Sequence, residues 1–222
     1  MKIAEIFYSI QGEGALIGVP SVFVRTSGCN LRCSWCDTPY TSWQPEGVEM
    51  SVADISDQVQ AFHAKHVVLT GGEPMIAPQT PELLAAFKAR GLHITIETAG
   101  TVDANIECDL MSISPKLSNS TPEGPFQAQH ERLRINQAVL RSLMRFPHQL
   151  KFVIAAPADL DEVQQLVKEI EAKPSSVMLM PEGVEQSLLR QRSLWLVEEA
   201  KRHGYRFSPR LHVDLYGNKR GV

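Results

Sequence analysis

A chain of 222 residues and 24.7 kDa is long enough for one hydrophobic core and suits a single domain over 1–222 better than two. With 43% hydrophobic and 21% charged residues its composition is that of an ordinary globular protein, which excludes a low-complexity or disordered chain. A net charge of −3 and a pI near 6.2 give no basic field for nucleic acid, and no apolar run approaches the ~20 residues that a membrane span needs. The first residues lack the apolar core and cleavage site of a signal peptide, so a cytoplasmic location is expected. In that reducing compartment clustered thiols are metal ligands rather than bridges.

In chain order, residues 5–10 read as an extended piece running into Gln11-Gly12-Glu13-Gly14, where glycines beside a carboxylate allow close approach to a ligand. Residues 21–26 are a β-rich run that stops at Gly28, just before Cys29-Asn30-Leu31-Arg32-Cys33-Ser34-Trp35-Cys36 and then Asp37 and Thr38. Ser51 caps a helix to about 64, with Val52, Ile55, Val59 and Phe62 at helical spacing. A strand over 66–70 closes on Gly71-Gly72-Glu73-Pro74. A helix over 81–90 ends at Gly91, and strands follow at 92–97 and 110–114. Residues 115–129 form a long loop by composition, ahead of a helix over 131–145 and a strand over 150–154. Asp159 with Glu162 reads as a capping box for the helix that carries Leu160, Val163, Val167 and Ile170 on one face. A strand over 177–180 and a helix over 186–203 come next, and 210–215 alternates like an edge strand.

Several isolated residues have bland readings. Cys108 is a small half-buried hydrophobe, His63 and His66 sit at a solvated helix end, and His212 with Asp214 lies on the exposed face of the last strand. Glu97 and Lys151 are charged residues in strands, and pairing the two would offset the cost of burying either alone.

About six strands alternating with helices imply an α/β fold with a parallel sheet and right-handed crossovers. The cysteine loop, the Gly71 to Pro74 turn, Glu97-Thr98, Ser114-Pro115-Lys116 and Met180-Pro181-Glu182-Gly183 all fall at strand ends, where such folds gather ligands. The chain is too short for a full eight-fold barrel of ~250 residues. A partial, open barrel is expected.

The chemistry sits in the three thiols. A segment rich in Arg, Asn and Ser has no apolar face to bury, so its cysteines hold something. An iron–sulfur cube normally takes four thiolates, and three leave one iron open to a ligand that chelates through an amino and a carboxylate group, as S-adenosylmethionine does. Zinc is the alternative, but structural zinc wants four N or S ligands and no second C-x2-C or H-x3-H partner follows.

The C-x3-C-x2-C spacing resembles the radical SAM superfamily signature, and the Gly-Gly-Glu-Pro turn resembles the one that holds the methionyl group there. Gln11 to Gly14, Arg25, Cys29 to Thr38, Thr70 to Pro74, Glu97 to Thr101, Ser114 to Lys116 and Gly217 to Val222, in this order, resemble the 7-carboxy-7-deazaguanine synthase family over nearly the whole chain. The resemblance implies a partial, open (β/α)6-type radical SAM barrel with an N-terminal extended segment. The implied reaction is a lyase step of queuosine biosynthesis, turning 6-carboxy-5,6,7,8-tetrahydropterin into 7-carboxy-7-deazaguanine with loss of ammonia.

The implied cofactors are a [4Fe-4S] cluster on Cys29, Cys33 and Cys36, S-adenosylmethionine and Mg²⁺. Gly72, Ser114, Pro115 and Lys116 would hold S-adenosylmethionine, with Trp35 near the adenine and Pro181, Glu182 and Gly183 contributing. Met180 stands where relatives often have glutamine. Ile10, Gln11, Gly12, Arg25 and Thr70 would line the pterin, Val222 would touch it through the chain end, and Thr38 would bind Mg²⁺. A homodimer and a reductant protein such as a flavodoxin are the implied partners. Two rival readings are a glycyl-radical activating enzyme, which shares the cysteine spacing but acts on a protein, and a non-enzymatic zinc or iron–sulfur module.

Overall fold

The computed structural model describes residues 1–222. Nine strands form one sheet: β1 (Lys2–Ile10), β2 (Pro20–Thr26), β3 (Val48–Glu49), β4 (His66–Gly71), β5 (His93–Thr98), β6 (Leu110–Ile113), β7 (His148–Ile154), β8 (Val177–Pro181) and β9 (Arg206–Phe207). Their spatial order is β3-β1-β2-β4-β5-β6-β7-β8-β9, an open sheet. β1 runs antiparallel to β2 and β3, and every other neighbouring pair is parallel. The expected α/β architecture, with parallel strands and an N-terminal extended segment, is therefore what the chain forms.

The helices are α1 (Pro39–Ser42), α2 (Val52–Ala61), α3 (Thr80–Ala89), α4 (Gln127–Leu133), α5 (Gln137–Leu143), α6 (Asp159–Glu169), α7 (Gln186–His203) and α8 (Leu211–Tyr216). Ser51 caps α2 as expected, its hydroxyl accepting from Asp54 N. α7 matches its predicted span and stops at Gly204, whose left-handed φ of 66° favours glycine.

Side-chain alternation along the strands divides the sheet into two faces. Val67, Leu69, Ile94, Ile96, Met111, Ile113, Leu150, Phe152, Ile154, Val177 and Leu179 point one way, into a core cluster of 33 buried residues with the helices. The intervening residues Thr70, Glu97, Ser112, Lys151, Val153 and Met180 line a cavity on the other face. Burying two fully covered Leu or Phe side chains per strand stabilises by ~1.5–3 kcal/mol each, so the apolar face holds the fold. The polar face is free to carry function.

Four sequence expectations are corrected. The tail over 210–215 is not an edge strand: residues 211–216 are helix α8, bounded by Pro209 and by Gly217 at φ 71°, and only Val213 of its side chains is buried. The helix expected over 131–145 is two short ones, because Asn136 turns to an extended conformation and its side chain caps Val139 N. Asp159 and Glu162 form no capping box; Asp159 Oδ2 instead accepts from Ala155 N at 2.7 Å and Ala156 N at 3.0 Å, and Glu162 accepts from Ser118. His66 opens β4 and packs its ring 4.7 Å from that of His93 on β5, away from the helix end. Cys108 is half-buried against the core as expected, and burial pushes its thiol up to about 12.

Candidate active site

The cysteine loop leaves β2 through Gly28, whose φ of 111° is closed to other residues without strain. Backbone bonds pin it from several sides. Gly28 N–H donates to Thr41 O at 2.8 Å, Glu73 N–H to Gly28 O at 2.9 Å and Ser34 N–H to Ser120 O at 2.8 Å. Arg32 Nη1 donates to the carbonyls of Cys29 and Leu31, each at 2.7 Å. Trp43 Nε1 donates to Cys33 O at 3.0 Å, and Arg32 N–H donates to His130 Nδ1 at 3.1 Å. Because that ring nitrogen accepts, His130 is neutral and its Nε2–H donates to Ser120 Oγ at 2.9 Å. Burial lowers its pKa in the same direction.

Cys29, Cys33 and Cys36 line one cavity of about 380 Å³, a volume in the range of small-molecule sites. Leu31 N–H lies 3.4 Å from Cys29 Sγ and aims its hydrogen at that sulfur, and Ser42 Oγ lies 3.2 Å from Cys36 Sγ. Burial pushes the thiols of Cys29 and Cys33 up to about 11 and about 12, so they ionise when a metal displaces the proton. Three thiols set around one cavity fit a [4Fe-4S] cluster with one iron left without a protein ligand.

The Gly71 to Pro74 turn is packed against this loop. A Cβ on Gly72 would lie 2.0 Å from Gly28 O and 2.8 Å from Thr41 O, a contact with rigid backbone that only glycine avoids. Glu73 is fully buried, and its carboxylate accepts from Thr98 Oγ1 at 2.8 Å, Ala99 N at 2.8 Å and Met75 N at 3.1 Å. It thereby ties the ends of β4 and β5 together.

The rest of the cavity is a polar cradle. Glu97 accepts from Gln11 Nε2 at 3.1 Å and from Thr70 Oγ1 at 2.8 Å. Lys151 does not pair with Glu97; it bonds Glu13 in the turn after β1, which also receives Arg210 Nε at 3.0 Å. Glu13 reaches Lys151 because Gly14 folds the turn over β7, with Ala15 N–H on Gln149 Oε1 at 2.8 Å. Burial pushes the Glu13 carboxyl up, but the Lys151 and Arg210 charges outweigh it and hold the pKa well below the usual range. His212 is not on an exposed face: its ring lies where a Gly12 Cβ would be, with Nε2 4.0 Å from Glu13 Oε1.

Most of the residues singled out from the sequence border this cavity. Ile10, Gln11, Gly12, Arg25 and Thr70 line one side with Val222, and Thr38 lies beside the cysteine loop. Trp35, Gly72, Ser114, Lys116, Glu182 and Gly183 line the other parts. Lys116 Nζ stands 5.7 Å over the Trp35 ring and donates to Ser114 Oγ at 2.8 Å. Pro115 and Pro181 are buried behind the wall; Pro181 is the last residue of β8, in register with Ile154. Met180 does line the wall. Arg25 Nε lies 2.8 Å from Glu5 Oε1 without hydrogen-bond alignment and is buried with no hydrogen-bond partner. Sequence reasoning missed Glu13, Asp37, His130 and Arg210, whose partners are remote in the chain.

A family model described as Radical SAM superfamily matches residues 23–132. The 7-carboxy-7-deazaguanine synthase of Halobacterium salinarum is 46% identical, covering 98% of this chain and 91% of the relative. That of Rhodopirellula baltica is 43% identical, covering 100% and 89%. Among solved structures, QueE from Escherichia coli superposes with a TM-score of 0.72 at 25% identity, covering 95% of this chain and 94% of that one.

Proposed function

The chain belongs to the 7-carboxy-7-deazaguanine synthase family of radical SAM enzymes, and we propose that its cavity converts 6-carboxy-5,6,7,8-tetrahydropterin to 7-carboxy-7-deazaguanine within a single core domain over 1–222. One observation carries the reading: three thiols, a glycine turn closed to any side chain and a cradle of amide, hydroxyl and carboxylate groups border the same cavity. Family membership brings S-adenosylmethionine and a [4Fe-4S] cluster. When bound and reduced, the pair would supply the radical chemistry that removes a hydrogen atom from the substrate.

The chain's own residues bind, orient and keep out water. Cys29, Cys33 and Cys36 hold the cluster. Gly72 leaves backbone accessible to the methionyl group, while Ser114, Lys116, Glu182 and Gly183 contact the remainder of S-adenosylmethionine and Trp35 packs by its adenine. Pro115 and Pro181 act from behind, fixing the backbone of those strand ends.

Arg25, on the cavity wall, offers its guanidinium to the substrate carboxylate, which that planar fork can hold through two oxygens. Gln11 and Thr70 take the pterin's polar edge, Ile10 and Gly12 its faces, and Val222 closes the cavity. Thr38 supplies one oxygen to Mg²⁺, a hard ion satisfied by few protein ligands when substrate oxygens and water complete its shell. A homodimer in the cytoplasm, reduced by a carrier protein such as a flavodoxin, completes the proposal. Anaerobic incubation with S-adenosylmethionine, reductant, Mg²⁺ and the pterin, followed by mass analysis, tests it; absence of 7-carboxy-7-deazaguanine from a reconstituted, S-adenosylmethionine-cleaving sample would overturn it.

A further inference from the structure

Arg210, in the residue just ahead of α8, is only 8% exposed, and no part of the reaction described above uses it. Its guanidinium reaches three acceptors at once. Nε donates to Glu13 Oε1 at 3.0 Å, Nη1 to Gly183 O at 2.6 Å and Nη2 to Asp37 Oδ2 at 2.5 Å. Each acceptor belongs to a different part of the cavity wall. Glu13 is in the turn that follows β1 and carries Gln11 and Gly12. Gly183 is in the loop leaving β8. Asp37 separates Cys36 from Thr38 in the sequence and has no other side-chain hydrogen bond.

A guanidinium is a rigid planar fork, so it fixes the mutual directions of its three acceptors, which a single ammonium cannot do. A shift of Arg210 would move Asp37, and with it the backbone of Cys36 and Thr38, relative to the substrate turn. Radical transfer between two bound molecules is sensitive to such a shift: a misplacement near 1 Å costs ~100-fold in rate.

We propose that Arg210 is a positioning residue that sets the spacing between the cluster loop and the substrate turn, so that each S-adenosylmethionine cleaved yields one hydrogen abstraction from the pterin. The inference rests on the function proposed above. Its distinctive consequence is uncoupling. Arg210→Lys keeps the charge but loses the fork, and Asp37→Ala removes the acceptor that links Arg210 to the cluster loop while leaving Arg210 on Glu13 and Gly183.

The experiment measures 5′-deoxyadenosine and deazapurine product in the same anaerobic reactions, together with iron content and amide hydrogen exchange of the full chain. Both variants should keep wild-type iron content and cleave S-adenosylmethionine, while product per 5′-deoxyadenosine falls at least ~10-fold. Exchange should quicken in the segments 11–18 and 34–40 together. Arg90→Lys, which loosens an ion pair with Asp57 on α2 away from the cavity, serves as the control for mere loss of stability. A wild-type product ratio in Arg210→Lys overturns the proposal, as does exchange that quickens no more than in the control. Should Arg210→Lys fail to fold, Asp37→Ala decides alone by the same ratio. If the wild-type protein itself makes no deazapurine, the functional reading fails, and the exchange data still test the clamp.

Discussion

Replacing Glu73 with alanine should test whether the glycine turn is held by its buried carboxylate. The side chain is fully covered and accepts from two backbone amides, Met75 and Ala99, and from the Thr98 hydroxyl. The hydroxyl can rotate to another partner, but the two amides are left without one, at ~1–3 kcal/mol each. A loss near ~4 kcal/mol follows, which for a chain of this size lowers the melting temperature by ~8–16 °C. Burial pushes the Glu73 pKa up, against the lowering by its hydrogen bonds, so the folded protein retains a proton that the unfolded chain sheds above pH ~4.3. Wild-type stability therefore falls as pH rises from there through the folded pKa, and the gap to Glu73→Ala narrows. Thermal unfolding between pH 4 and 7, followed by circular dichroism, reads both effects. An alanine variant melting within ~2 °C of wild type would refute the reasoning, because the amides would then have found other partners.

The remaining predictions concern the cavity. Gly72→Ala forces a methyl group into the Gly28 carbonyl and should cut S-adenosylmethionine cleavage by at least ~10-fold through displacement of the cluster loop; wild-type cleavage at full iron content would contradict this. Val222→Asp, which puts a charge on the cavity lining, should raise the Michaelis constant for the pterin, and an unchanged value in steady-state assays would remove Val222 from the site. Glu13 behaves oppositely to Glu73: its pKa is depressed, so its stabilisation is present above pH ~4.3 and is lost as pH falls through the folded pKa. The melting-temperature gap between wild type and Glu13→Gln should therefore shrink on acidification, and a gap that stays constant down to pH 3 would place the ionised carboxylate elsewhere.

What could be read from the chain was whatever has a local signature. Ser51, the apolar spacing of α2 and Gly91 after α3 all act within a few residues, and so do the three thiols. The tail misled because Leu211-His212-Val213-Asp214-Leu215 alternates over too few residues to separate period two from a helical turn and a half. Asn136 did carry a signal, a cap residue inside a presumed helix, and it marks the break between α4 and α5. Asp159 kept the right residue types for a capping box, but its carboxylate found backbone amides upstream of the helix. The charge network was out of reach for a different reason. Glu13 meets Lys151 across 138 positions and Arg210 across 197, and no pattern in either neighbourhood announces the other.

The division of the strands into an apolar and a polar side has an evolutionary consequence. Cohesion is vested in Leu69, Ile96, Ile113 and Phe152, whereas recognition is vested in Thr70, Glu97, Ser112 and Lys151, their immediate neighbours in the chain. Selection can thus exchange one set while leaving the other untouched, and a scaffold wired this way can acquire new substrates without first surrendering its ability to fold.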